Sequence, residues 1–383
     1  MHGWRQAGIV ISGRVHDAAS VPSEGAPSAE HSTSPGGGTE PAGGRTGNAA
    51  ADGGSVDERG GAPRSPMRKV AIIDDEGEPD PPAAVVAASG DASAAAEELP
   101  ASVADRAHAA AAAAAASDAI AAARGEAHVF KNEVHSNAKA GLLLAARACP
   151  WIEENLVRDG QAAGVLVSEG SRAVLKGNTL RGHAKTELQV CDAGTAPLIE
   201  GNTISGSRAG GILIFRGASA VVRANTVHGN ATANVRLAEG STARLEGNTI
   251  RDGLDCGVTL CSGATCVLAD NTISGLHKKA SVLIYGAATA PTLLRTLIEG
   301  SEQAGVYMYA GARASIEDCE VRGNTGPNLI ITEGSDPLVH RCTIHSSDDA
   351  GVLVHQEGKG TLTHNNMYNN RCLLYTSPSP RDS

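Results

Sequence analysis

A short motif, Asn-Thr followed by an aliphatic residue, recurs at a nearly constant interval in the C-terminal part of the chain. It begins at Asn178, Asn202, Asn225, Asn248 and Asn271, so successive copies are 23 or 24 residues apart. A fixed period of this length is typical of solenoids, in which each repeat forms one coil and packs only on its neighbours. This periodicity restricts the fold more than any other feature of the sequence.

Extending the register in both directions gives one anchor position per repeat between residues 127 and 371. The anchors are Asn132, Asn155, Asn178, Asn202, Asn225, Asn248, Asn271, Thr296, Cys319, Cys342 and Asn366. Aliphatic residues stand three before and two after almost every anchor, which is period-two alternation within short strands. We therefore predict an all-β, right-handed, single-stranded parallel β-helix solenoid of about 11 rungs, each of about 23 residues.

The eight asparagines of the anchor column, from Asn132 to Asn366, are expected to form a structural ladder. Stacked asparagine side chains can hydrogen-bond along a solenoid axis, and asparagine tolerates the left-handed backbone geometry of a tight bend. Small side chains at Thr296, Cys319 and Cys342 would fill the same corner without continuing the ladder.

Composition divides the chain into four regions. Residues 1–100 are rich in Gly, Pro, Ser and Ala, which predicts disorder. The Ala-rich residues 101–126 predict either a short helix that caps the first rung or a linker. Residues 127–371 carry the β-helix repeats. Residues 372–383 resemble the translation of a sequencing adapter and are treated as an artefact, so the natural sequence is expected to continue beyond Arg371.

Charge and motifs exclude several classes of function. The formal net charge is −10 and no basic stripe is present, which argues against a nucleic-acid partner. No apolar run is long enough to span a bilayer, and no secretory signal is recognisable, so we expect a cytoplasmic or nuclear protein without a membrane partner. No nucleotide-binding or metal-binding motif occurs, and therefore we expect neither a cofactor nor a metal.

Catalysis on sugars would require two carboxyl groups on the same or adjacent rungs. The candidates are Asp252 with Asp255 and Asp348 with Asp349, and both pairs fall in bends, where acidic residues are common. The two pairs are four rungs apart, or about 19 Å at the usual strand spacing. We therefore expect no catalytic residue.

Large apolar and aromatic residues stand 11 and 13 positions after the anchors, where alternation turns side chains outward. Aromatic residues make up only 2% of the chain, so their concentration on one external face favours a binding surface. The alternative is a face that loops or a further segment cover. The predicted binding residues are Phe215, Arg236, Leu283, Tyr285, Tyr307, Tyr309 and Ile330.

Two strings, Gly334–Leu362 and Ala290–Tyr309, resemble the repeats of the β-helical F-box-only proteins. The resemblance covers about residues 127–371 and implies a non-enzymatic scaffold of the ubiquitin conjugation pathway, whose partner is a protein substrate or adaptor. Residues 1–126 show no F-box helical pattern. The alternative is a carbohydrate-active β-helix, either a sugar-binding protein or an enzyme like the polysaccharide lyases, hydrolases and epimerases, with a carbohydrate partner.

Overall fold

The strands of this protein form three parallel sheets that the chain visits in turn. A computed structural model describes residues 9–12, 127–275 and 277–376, and within them every regular element is a β-strand. The strands are numbered β1 to β34 along the chain, and from β2 onward they follow the order sheet B, sheet C, sheet A. Neighbouring strands within each sheet are parallel and lie one coil apart along the chain, as β8 and β11, β9 and β12, and β7 and β10 do, so the chain forms a parallel solenoid.

Sheet A has twelve strands: β1 (Ile9–Ser12), β4 (Leu142–Ala145), β7 (Val165–Val167), β10 (Leu188–Cys191), β13 (Ile212–Phe215), β16 (Val235–Leu237), β19 (Val258–Leu260), β22 (Ala280–Tyr285), β25 (Ala304–Tyr309), β28 (Leu329–Ile331), β31 (Ala350–Val354) and β34 (Cys372–Thr376). Sheet B has eleven strands: β2 (His128–Phe130), β5 (Trp151–Glu153), β8 (Val174–Lys176), β11 (Leu198–Glu200), β14 (Ser219–Arg223), β17 (Thr242–Glu246), β20 (Thr265–Ala269), β23 (Thr292–Leu294), β26 (Ser315–Glu317), β29 (Leu338–His340) and β32 (Thr361–Thr363). Sheet C also has eleven: β3 (Glu133–His135), β6 (Leu156–Arg158), β9 (Thr179–Arg181), β12 (Thr203–Ser205), β15 (Thr226–His228), β18 (Thr249–Arg251), β21 (Thr272–Ser274), β24 (Leu297–Glu299), β27 (Glu320–Arg322), β30 (Thr343–His345) and β33 (Asn366–Tyr368).

The predicted all-β solenoid is confirmed, because ten turns of chain separate the eleven strands of sheet B. Two strands lie outside the predicted repeats. β1 pairs with β4, although disorder was expected throughout residues 1–100, and its β-branched residues Ile9, Val10 and Ile11 favour a strand. β34 pairs with β31 although it lies in the adapter-like segment. The rest of residues 1–100 and all of 101–126 lie outside the described residues.

The core consists of aliphatic side chains that stack on their counterparts one rung away. In sheet C the column that includes Ile204, Val227, Ile250 and Ile273 is completely buried. The inward side chains of all three sheets form one continuous apolar cluster. Each rung therefore contributes a thin layer to the same core, which explains how the chain folds with so few aromatic residues.

The asparagine ladder occupies the bend between sheets B and C. From Asn132 to Asn271, each side-chain Nδ2 donates to the Oδ1 of the next asparagine at 2.9–3.1 Å. In the middle of the ladder, Asn225 Nδ2 also donates to the carbonyls of Ile199 and Arg223. The ladder thus satisfies backbone groups at a buried bend, as expected for seven of the eight predicted asparagines.

The eighth ladder prediction, Asn366, is wrong by one residue. The backbone N–H of Cys342 donates to Asn365 Oδ1 at 2.8 Å, whereas Asn366 begins β33 opposite Thr343. His364 takes the left-handed conformation of the bend, with φ of 57°, which places the anchor at the following residue. The ladder is interrupted between Asn271 and Asn365, so the sequence pattern alone fitted either of the two adjacent asparagines.

Candidate functional site

The two longest strands of sheet A carry the predicted tyrosines. β22 and β25 have six residues each, whereas the other strands of the described part have three to five. In β25, alternation buries Val306 and Met308 completely and leaves Tyr307 and Tyr309 half-buried on the outer face. The tyrosines therefore stand on a backbone that the core holds in place.

We call the outer face of these and the two following strands the tyrosine surface; it consists of Leu283, Tyr285, Tyr307, Tyr309, Ile330 and Leu353. Leu283, Tyr307, Ile330 and Leu353 form one column across four strands. Tyr285 and Tyr309 form a second, with their rings stacked at 4.9 Å between centroids, and Tyr307 meets Tyr309 at 5.4 Å. An aliphatic column thus runs beside a column of stacked rings.

Partial burial controls the chemistry of the phenol groups. Burial raises the pKa of Tyr309 to about 12, and the nearby Tyr307 adds to the effect. Burial also raises the pKa of Tyr307, with a smaller contribution from the negative charge of Glu333. Both hydroxyls therefore keep their protons at neutral pH, where they can donate hydrogen bonds but cannot act as bases.

The structure brings together five of the seven predicted binding residues. Arg236 lies on β16, two strands from Leu283, or about 10 Å at the usual strand spacing. Phe215 lies on β13, three strands from Tyr285, or about 14 Å. These two residues therefore do not belong to the tyrosine surface.

The expected exposure is also wrong at two positions. Phe215 is 4% exposed, and the guanidinium carbon of Arg216 stands 5.6 Å from the centre of its ring. Ile330 is 8% exposed because it packs in a cluster with Tyr307 and Leu353. Ile330 thus supports its neighbours on the surface more than it offers area of its own.

The acidic candidates for catalysis do not assemble around the tyrosines. Asp252 pairs with Arg251 at 2.5 Å, and Asp255 pairs with Lys279 at 3.2 Å. Asp348 and Asp349 are exposed in the bend before β31. Within the described residues, Glu333 is the carboxylate whose charge reaches both Tyr307 and Tyr309.

A second buried polar column, in the bend between sheets C and A, was missed in the sequence. It contains pairs four residues apart: His183 Nδ1 with Glu187 at 2.5 Å, Asn230 with Asn234 at 2.8 Å, and Asn324 with Asn328 at 2.7 Å. Their signal was present, since polar residues recur five and nine positions after an anchor. Burial raises the pKa of Glu187, and its hydrogen bond with His183 opposes the shift.

Two features are absent from the residues that the structure describes. No group of three or more His, Cys, Asp or Glu side chains is arranged to hold a metal ion. No helix of the described part is long and apolar enough to cross a membrane.

Several solved structures are similar to this chain at low sequence identity. The A-module of the Azotobacter vinelandii mannuronan C-5 epimerase AlgE6 is 11% identical over 70% of this chain and 94% of its own, with a TM-score of 0.45. Tailspike protein 2 of an Escherichia coli O157:H7 bacteriophage is 7% identical over 64% of this chain and 38% of its own, with a TM-score of 0.38. At these values the similarities carry no information about activity. No curated protein matches the chain significantly.

One family model matches most of the repeats. It describes a right-handed β-helix region and matches residues 113–250, 189–298 and 233–380 in overlapping segments. The three segments together cover more than half of the 383 residues. They include every complete rung of the solenoid, and the family description supplies the handedness that the sequence predicted. The chain therefore belongs to the right-handed β-helix family.

Proposed function

We propose that this β-helix is a non-catalytic binding protein, and that its tyrosine surface holds an extended segment of a partner protein. The observation that carries the proposal is the column of Leu283, Tyr307, Ile330 and Leu353 beside the stacked Tyr285 and Tyr309. Aliphatic side chains offer nothing to the hydroxyls of a sugar, whereas they suit the apolar side chains of a polypeptide. Tyrosine is also among the residues that contribute most to protein interfaces.

The rigidity of the surface favours binding. Val282 and Ile284 alternate with Leu283 and are completely buried, so the core fixes the backbone beneath the outward side chains. The contact between the rings of Tyr285 and Tyr309 restricts their rotamers before any partner arrives. The β-helix therefore loses less conformational entropy on binding a partner than it would if the same side chains stood on a mobile loop.

A role as a substrate receptor in ubiquitin conjugation is a finer proposal. It depends on the resemblance of Gly334–Leu362 and Ala290–Tyr309 to the F-box-only repeats, and the second string ends at the tyrosine surface. The partner segment would then belong to a protein substrate or an adaptor.

A carbohydrate chain is the second candidate, and the hydroxyl groups favour it. Tyr307 and Tyr309 are half-buried on the outer face of sheet A, and both keep their protons at neutral pH. Phenol groups of this kind can exchange hydrogen bonds with the hydroxyls of a sugar.

A peptide-display selection on the full chain tests the proposal. Selected peptides should bind Tyr307→Ala more weakly than wild type by about 1–3 kcal/mol, or roughly 5- to 150-fold in Kd. Tyr368→Ala is the matched control, because this exposed tyrosine lies on sheet C, away from the tyrosine surface. Biolayer interferometry gives the affinities, and thermal unfolding checks that both variants fold.

A parallel assay with immobilised polysaccharides separates the two candidates. Selected peptides that bind both variants as tightly as wild type would refute the protein proposal. Retention by a polysaccharide that only Tyr307→Ala loses, with no peptide selected, would replace the protein segment by a carbohydrate chain.

A further inference from the structure

A cavity of about 560 Å³ opens at the bend between sheets A and B, in the first three rungs. Its lining includes Arg147, Glu169, Gly170, Arg172 and Gly194. This volume lies within the range usual for sites that hold small ligands. We call it the arginine cavity. It adjoins the ends of β4, β7 and β10, whereas the tyrosine surface begins at β22, five strands after β7.

The two arginines of the cavity form no ion pair with a carboxylate of the described residues, although most arginines of the β-helix do. Eight other arginines form ion pairs with carboxylates. In the same bend, Arg216 Nη2 lies 2.8 Å from Asp192 Oδ1. Within the described residues, neither Arg147 nor Arg172 forms such a pair. Their guanidinium groups are therefore available to an anion from solution.

The one carboxylate in the cavity is already engaged by the backbone. Glu169 Oε2 accepts a hydrogen bond from the N–H of Ala146 at 3.1 Å. The two guanidinium groups and the one carboxylate give the lining a net charge of +1. The chain as a whole has a formal net charge of −10. The cavity is thus a local positive site on a negative protein.

Glycines keep the floor of the cavity open. Gly170 has φ of +76°, and a Cβ at this position would stand 3.3 Å from Cγ of Arg147. The stem of Arg147 therefore lies across Gly170, in space that a side chain would take. Gly194 continues this floor on the next rung, where a Cβ would stand 4.0 Å from Cα of Gly170.

We propose that the arginine cavity binds the oxyanion group of a small ligand, a carboxylate, a sulfate or a phosphate, through Arg147 and Arg172. A guanidinium group presents parallel N–H donors that match two oxygens of such a group, and it remains charged at every physiological pH. This site is separate from the tyrosine surface and does not depend on the function proposed for it.

Isothermal titration of the full chain with inorganic sulfate and with glucuronate tests the proposal, at low and constant ionic strength. Both anions should bind wild type, and Arg147→Ala/Arg172→Ala should bind them at least tenfold more weakly. Glucose, which is neutral, should not bind the cavity. A stronger response to glucuronate would identify an acidic sugar as the source of the oxyanion, and a stronger response to sulfate would identify a free inorganic anion.

Arg313→Ala is the matched control, because Arg313 is an exposed arginine that occupies the same column as Arg172 on a distant rung. This variant should bind as wild type does. The lysine variant Arg147→Lys/Arg172→Lys keeps the charge and should bind both anions more tightly than the alanine variant. It also keeps the test informative if the alanine variant folds poorly, because it should then bind more weakly than wild type through the loss of the paired guanidinium donors. Equal binding by wild type and the double alanine variant, or no binding of either anion by wild type at millimolar concentration, would overturn the proposal.

Discussion

At the scale of single residues, His277 is a buried histidine with a hydrogen bond, within the described β-helix, on only one of its ring nitrogens. Its side chain is completely buried in the bend between sheets C and A, and its Nδ1 accepts the N–H of Gly253 at 3.1 Å. A nitrogen that accepts a hydrogen bond carries no proton, so the ring is the neutral tautomer with its proton on Nε2. That nitrogen has no partner among the described residues. Burial lowers the pKa of His277 to about 4, and the charge of Asp252 offsets only part of the shift.

This histidine predicts a loss of stability in mild acid. The unfolded chain binds a proton at His277 below the usual pKa of 6.5, whereas the folded protein resists protonation down to about pH 4. The contribution of His277 to the free energy of unfolding is therefore fully present above about pH 6.5. It decreases as the pH falls, by about 2 kcal/mol between pH 7 and pH 5. His277→Asn should lose less stability over this interval, since Asn230 and Asn324 occupy the same column.

Urea unfolding of wild type and His277→Asn at pH 7 and pH 5 measures the difference. His135→Asn, which replaces an exposed histidine of sheet C, should keep the acid sensitivity of wild type. The same acid-induced loss in all three proteins would contradict the assignment to His277.

At the scale of elements, the asparagine ladder makes one side chain serve several strands. The two hydrogens of Asn225 Nδ2 are shared among the carbonyl oxygens of Ile199 and Arg223 and Oδ1 of Asn248, and its Oδ1 accepts from the backbone N–H and Nδ2 of Asn202. Asn225→Ala would leave buried backbone groups without partners, and we expect it to lower the free energy of unfolding by about 2–4 kcal/mol. Asn366→Ala removes an asparagine outside the ladder and should cost less than about 0.5 kcal/mol. Chemical denaturation of the two variants measures both values, and similar losses would be inconsistent with the ladder as described.

The sequence alone predicted the features that follow from residue spacing. It did not predict the features that depend on which side chains pack beside one another in space. The period of Asn178 and its equivalents predicted the coils, and alternation predicted that Tyr307 points outward. Alternation gives the direction of a side chain but not what packs beside it, so the burial of Phe215 and Ile330 was missed. The second polar column was missed because His, Asn and Ser replace one another in it, which hides its period.

At the scale of the whole β-helix, stability is expected to depend on contacts between adjacent rungs. Deleting residues 226–248 removes one period of 23 residues and joins Asn225 to Thr249, so the later strands keep their inward and outward faces. This variant should stay folded, with a melting temperature close to that of wild type. Deleting 226–249 instead places Arg251 at an inward position of sheet C and should be strongly destabilising, because it buries an unpaired charge.

Circular dichroism and thermal unfolding distinguish the two deletions. The comparison is informative because they differ by one residue. Loss of structure in both would mean that the rungs are not interchangeable units.

The three parallel sheets also determine how the protein responds to mechanical force. Strands bond only to their counterparts one coil away, so the hydrogen bonds between rungs run along the stacking direction. Tension along that direction therefore loads the bonds of one terminal coil before those of the next. Each detached coil of about 23 residues would release roughly 80 Å of extended chain. The β-helix thus yields to axial tension by peeling from its ends, while tension within a single rung acts on the covalent backbone.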